Sequence, residues 1–197
     1  MATVDTTKLT AVNDVLTSLG MGPVTALGTT RAGTLAEQVL DSESALVQSE
    51  GWHFNTEYDV ELTPDVSDNI IVPTDALSID AHKVSEDVTQ VGTKLFDLED
   101  NSFTFTSKIN VDIVRFRDIT DLPQPARAYI VARAARVYQD RFLGSSELGN
   151  RLLRDEFDAR NRLIPYEAEG GDFTAFDHFD GGRALQRGTQ GNPITNF

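Results

Sequence analysis

The sequence predicts an α+β fold: an antiparallel four-helix bundle with a β-rich insertion between helices 2 and 3 and an extended C-terminal arm. Three observations lead there. Apolar residues recur at helical spacing in two segments before residue 52 and in two after residue 120. Between them the apolar period shortens to two, the mark of half-buried strands. Beyond residue 167 neither period survives, and glycine and phenylalanine dominate. The expected units are 7–51 plus 121–167 for the helices, 52–120 for the insertion and 168–197 for the arm.

In the first helix Leu9, Val12, Leu16 and Leu19 form an apolar seam, and Asn13, Asp14, Thr17 and Ser18 lie opposite. Gly20 stands where a helix-ending glycine belongs, and Pro23 blocks continuation. The second helix spans about Arg31 to Glu50, with Leu35, Val39 and Leu46 facing one way and Gly51 following. Trp52, Phe54, Tyr58, Val60 and Leu62 then alternate with His53, Asn55, Glu57, Asp59 and Glu61, which reads as a strand led by a core tryptophan. Ile70 to Val72 form a short strand ended by Pro73, while 77–91 are weakly patterned. Lys94 to Leu98, the turn Glu99-Asp100-Asn101-Ser102, and Phe103 to Phe116 read as a long hairpin.

Helical period returns after Asp121, an expected N-cap with Gln124 at the third position and prolines 123 and 125 in the first turn. Ile130, Ala134, Val137 and Tyr138 form its apolar sector, against a stripe of Arg133, Arg136 and Asp140. Gly144 ends it, Ser145 or Ser146 caps the fourth helix, and Pro165 is expected to fix that helix's end. The fourth helix carries Arg151, Arg154, Asp155, Asp158 and Arg162 on one face. These residues suit contacts between copies, and equally a solvated face, where each i,i+4 pair contributes only ~0.2–0.5 kcal/mol. Glu156 and Arg160 fall inside the apolar sector, as expected at a helix–helix or subunit boundary, because a buried pair is costly unless fully hydrogen-bonded.

Charge narrows the function. Net charge is −14, with 19 acids and 5 bases in residues 1–114 against 12 and 12 in residues 115–197. A protein gripping nucleic acid from outside should be basic. Arginines without net positive charge suit planar pairing at protein contacts instead. The chain holds no cysteine, so disulfides and thiolate chemistry are excluded. No stretch approaches the ~18 apolar residues of a membrane span, and the N-terminus lacks signal-peptide architecture. Phosphate-binding glycine motifs and the G-x-S-x-G elbow are missing. His53, His82 and His178 lie far apart, and Asp172, Asp177 and Asp180 miss the calcium-loop pattern. The expectation is a protein without cofactor, metal or catalytic residues.

One catalytic alternative fits the spacing of the acids, a glycosidase. Glu57, Asp59 and Glu61 share a strand face at ~6.6 Å steps, compatible with the carboxyl spacing of sugar hydrolases. Nothing in the sequence makes one of them desolvated while the others stay in water, so a solvated strand face is the expected reading.

Three stretches carry a family resemblance: AVNDVLTSLGMGPV (11–24), SEGWHFNTEYDVELTPD (49–65) and YIVARAARVYQDRFLGSSEL (129–148). Together and in order they resemble the tail tubular protein A family of short-tailed bacteriophages, the head-to-tail adaptors. The resemblance implies a virion tail protein, assembled in the host cytoplasm. It implies a closed homo-oligomeric ring, generally twelvefold, between the portal protein and the tail nozzle protein, with a tail fibre attached near the lower junction. Double-stranded DNA would pass through without sequence-specific binding, and the excess acid would keep it from sticking. No membrane partner is expected. The inter-subunit contacts are expected at Arg133, Arg136, Asp140, Arg151, Arg154, Asp158 and Arg162. The arm is expected to meet the portal through Phe173, Phe176, Phe179 and Phe197, since aromatic residues are common interface anchors. On this reading a tail-associated glycosidase acting on host surface polysaccharide is the alternative.

Overall fold

The computed structural model describes residues 7–83 and 86–171. Four helices, α1 (Lys8–Ser18), α2 (Arg31–Gln48), α3 (Gln124–Phe142) and α4 (Ser146–Gly171), enclose five strands in the chain order. The strands are β1 (Thr56–Leu62), β2 (Ala76–Ala81), β3 (Val88–Val91), β4 (Lys94–Asp97) and β5 (Ile109–Arg115).

Each helix starts and stops for local reasons. Thr7 and Thr30 place side-chain oxygens on the third N–H groups of α1 and α2. Gly20, at φ +75°, turns the chain out of α1 without the steric cost a Cβ would bring. Asn13 fastens the following segment, donating to the Val24 carbonyl and accepting from the Val24 N–H. The start of α3 departs from expectation, because Pro123 and not Asp121 occupies the N-cap. The ring of Pro123 disfavours a helical conformation at Leu122, so the helix begins beyond it. Pro165 does not end α4 either, and the helix continues to Gly171, taking in the first four residues assigned to the arm. The Glu167 carboxylate accepts from the His53 N–H at 2.6 Å, which holds the turn after the proline in place. The rest of the expected arm lies outside the described residues.

The α+β class holds, but a four-helix bundle with a β insertion does not. α3 is the hub on which α1, α2 and α4 all pack. α4 packs chiefly along α3 and against a single 3-10 turn, His53–Asn55. Thr10, Ala11 and Asp14 of α1 and Leu152 and Asp155 of α4 flank an open groove of about 310 Å³ over α3, where a closed bundle would bring the outer helices together. The strands also divide, into a three-stranded antiparallel sheet of order β1-β5-β2 and a two-stranded sheet β3-β4. The long hairpin expected across 94–116 is therefore absent. β4 pairs instead with β3 across Gly92-Thr93, where Gly92 sits at φ +65°. β5 becomes the centre of the other sheet, which its two-sided pairing needs and a hairpin arm would not supply.

Two apolar cores result. One is helical, built on Val12, Leu16, Leu40, Tyr129, Ile130 and Leu163. The other lies among the strands, on Ile70, Leu95, Ile109, Val111 and Ile113. Buried amides join them. Gln48 is fully buried, donating to the Arg117 carbonyl and accepting from the Arg117 N–H. Asn55 donates to the carbonyls of Gln48 and Arg115 and accepts from the Trp52 N–H. Trp52 is partly buried against the helical core, and its indole N–H donates to the Val47 carbonyl at 2.7 Å. The 3-10 turn it precedes delays the strand to Thr56, four residues later than the alternation suggests.

Because Gln48 satisfies both backbone groups of Arg117, Gln48→Leu should cost about 1–3 kcal/mol by leaving them unpaired. Urea unfolding measures this, and an unchanged midpoint would show that water replaces the amide.

Candidate functional site: the arginine network and the outer face of the fourth helix

The arginine stripe of α3 points into the protein. Glu43 of α2 and Glu156 of α4 are 2% and 8% exposed, so each needs a cation to be tolerable away from water. Arg133 donates to Glu43 at 2.8 Å and lies 3.5 Å from Glu156. Arg136 donates to Glu156 through Nε and to Asp140 at 3.0 Å. Arg141 stands 3.8 Å from Glu43. The hydrogen bond to Glu43 holds the Arg133 guanidinium above its ordinary pKa, as the one to Glu156 does for Arg136, with burial opposing in both.

Arg160 extends this network. It donates to the Tyr129 hydroxyl at 2.8 Å and to both oxygens of Glu50, and its guanidinium lies over the rings of Trp52 and Tyr129 at 5.8 and 5.4 Å. Its first partner is Glu50 of the α2 end, not Glu156. Both Glu156 and Arg160 do lie at a helix–helix boundary. The network thus links α2, α3, α4 and the segment entering β1.

Other sequence-selected residues are placed differently. Of the expected i,i+4 pairs, Arg136–Asp140 forms. Arg151, Arg154 and Arg162 make no ion pair among the described residues, and all three are exposed with Asp155 and Asp158. Phe173, Phe176, Phe179 and Phe197 lie outside the described residues, as do Asp172, Asp177, His178 and Asp180. Sequence reasoning missed the apolar part of the same outer face. Leu153, Phe157 and Ile164 are 54%, 64% and 49% exposed. At 100° per residue they fall within about 40° of one another, a ridge between the buried face and the arginines. Their i,i+4 and i,i+7 spacing is the signal in the sequence that could have separated them from the buried Leu152 and Leu163.

The three carboxylates of β1 do not converge on one reacting atom. Glu57 accepts from Arg115 at 2.6 Å and from Arg117 at 2.8 Å, and Glu61 pairs with Lys108 at 2.6 Å. A register shift between Glu57 and Val60 leaves Asp59 at φ +56°, a left-handed conformation uncommon for aspartate. That bulge is pinned by two residues of β5. Asp112 accepts from the Asp59 N–H at 3.0 Å, and Asn110 donates to the Asp59 carboxylate at 2.6 Å. His82 meets Asp112 at 2.7 Å and lies 3.9 Å from Asp59. The hydrogen bond to Asp112 raises the His82 pKa above 6.5, assisted by the charges of Asp112 and Asp59. No group of three or more metal-ligating side chains occurs among the described residues, and no described helix is long and apolar enough to cross a membrane.

Helices tied by internal ion pairs, with an apolar and charged face of α4 left outward, make this an α+β protein built around a helical hub. A family model, Tail tubular protein, matches residues 9–173, and the chain belongs to that phage tail family. It is accordingly a structural component of the bacteriophage virion tail. A comparison with curated proteins finds no match.

Two outcomes follow from the geometry. Glu156→Leu should destabilise by about 3 kcal/mol because it strands Arg136, whereas Glu156→Leu with Arg136→Met should recover most of that loss, since a buried pair replaced whole is often neutral. Thermal and urea unfolding of the cycle checks this, and a double variant as weak as the single would refute it. His82 should titrate above 6.5 by NMR and return toward 6.5 in Asp112→Asn. A raised folded-state pKa means its stabilisation is complete below 6.5 and fades as pH climbs through the raised value. Wild type should therefore lose its advantage over His82→Asn across that interval.

Proposed function

We propose that this tail protein is the adaptor subunit of a closed ring, generally twelvefold, seated between the portal protein and the tail nozzle protein. The observation that carries the reading is the outer face of α4. Leu153, Phe157 and Ile164 stand exposed on a long helix whose Arg151, Arg154, Asp155, Asp158 and Arg162 form no ion pair among the described residues. Exposed apolar patches rimmed by polar groups mark protein contact surfaces. Identical copies in a ring need a heterologous contact that closes, and an outward face on a rigid helix supplies half of one. Family membership over residues 9–173 supports a role in tail assembly.

The excess acid supports a DNA conduit. The strands and their loops carry most of the net negative charge. Duplex DNA binds proteins mainly by phosphate neutralisation, so an acidic wall lets it slide. In this reading the helical end and the aromatic segment 168–197 face the portal. The strand-bearing end faces the nozzle protein, with the tail fibre near that lower junction. No observation favours a polysaccharide hydrolase, because Glu57, Asp59 and Glu61 are each held by a basic or amide partner.

Electron microscopy of the purified protein mixed with the portal protein of the same virion tests the proposal. Rings docked on the portal are the expected result, and solitary subunits at all concentrations would refute it.

A further inference from the structure

We propose that the open groove over α3 is the docking site of this chain's own stretch Arg183-Ala184-Leu185-Gln186-Arg187. This docking is separate from the ring reading and does not rest on it. The groove, of about 310 Å³, runs between α1 and α4. Its apolar lining comes from Ala11, Ala128, Val131, Ala132 and Leu152. Ala128 is exposed and Val131 and Ala132 are half-buried, so the hub helix keeps an open apolar strip between its neighbours.

Two carboxylates stand on its walls, Asp14 on α1 and Asp155 on α4, and neither forms an ion pair among the described residues. Burial raises the Asp14 pKa, and no cation offsets it among those residues. Arg127 also lines the groove, but it is turned to the Gln124 side chain and the Thr120 carbonyl. A fitting occupant therefore carries an apolar side chain with a cation on either side. Among residues 172–197, which lie outside the described residues, one stretch has that chemistry. Residues 172–180 bring Asp172, Asp177 and Asp180 and neither lysine nor arginine. From Gly181 onward the chain has Arg183 and Arg187 and no acid.

In an extended chain alternate side chains share a face, which puts Leu185 between Arg183 and Arg187 at a separation of ~13 Å. Laid across the groove, the leucine covers Val131 and Ala132 while one arginine reaches each acidic wall. The tether is long enough. Asp155 stands about 24 Å before Gly171 along α4, and residues 172–182 span up to ~36 Å when extended. Phe173, Phe176, Phe179 and Phe197 lie outside the docked stretch, so the portal contact proposed above does not compete with it.

The chain contains no cysteine, so paired thiols report the contact cleanly. On oxidation, full-length Ala128→Cys/Ala184→Cys should give a cross-linked monomer about tenfold faster than Ala128→Cys/Ala175→Cys, since tether length alone changes effective concentration only modestly. Adding Asp14→Asn and Asp155→Asn should slow the Ala184 reaction toward the Ala175 rate. In the unmodified protein, amide hydrogens of residues 184–186 should exchange about tenfold slower than in Leu185→Asp. Equal rates for the two thiol pairs, or equal exchange in the two proteins, would overturn the proposal. Cross-linked dimers in place of monomers in dilute solution would overturn it as well, because a second copy would then supply the occupant.

Discussion

Two buried carboxylates, Glu43 and Glu156, decide how the helices sit. A carboxylate removed from water is tolerable only beside a cation with good geometry. The two lie on α2 and α4, and the guanidinium groups that answer them lie one turn apart on α3. An apolar seam alone would let helices slide by a residue or rotate by tens of degrees at small cost. Two charge pairs on successive turns of one helix face remove that freedom, because a slip strands a charge. This accounts for α3 as the hub and for the space left open between α1 and α4.

The second constraint is the join between helical and strand cores. Small apolar cores packed side by side could rock against each other. Here the side-chain amides of Gln48 and Asn55 take the backbone groups of Arg115 and Arg117 as partners, so the end of α2 and the exit of β5 share one hydrogen-bonded knot. Arg115 leaves that knot to bind Asp75 at 2.8 Å and Glu57, and Arg117 adds a second bond to Glu57. The acid-rich strand segment is thus neutralised from within at the point where it meets the helices. Its remaining negative charge lies further out.

Helix positions were legible because they follow from apolar spacing and end signals. Gly20, Gly51 and Gly144 all adopt positive φ just beyond the helices they follow. Strand partners were not legible. Alternation says that Ile109, Val111 and Ile113 share a face, and they are buried together, but it does not say which strand lies alongside. Gly92-Thr93 carried the turn signal for β3-β4 within a stretch whose apolar pattern is weak. The inward arginines were unreadable for a different reason. A stripe of Arg133, Arg136 and Asp140 has the same spacing whether it faces water, a neighbour or a buried glutamate. Only Glu156, misplaced in an apolar sector, hinted that charges would be needed inside. The family resemblance read from residues 11–24, 49–65 and 129–148 agrees with the match over 9–173.

The 26 residues of α4 make a strut on the order of 39 Å long at the usual rise per residue. Its near end is clamped where Gln139 holds the Ser145 carbonyl and Gly149 leaves no room for a larger side chain beside that amide. Toward its far end Glu167 grips the backbone of His53, the first residue of the 3-10 turn that launches β1. A stiff rod fastened near both ends does not absorb displacement. Whatever tilts the elbow at Gly144 levers the first strand of the sheet, so the two ends of the subunit are mechanically in series.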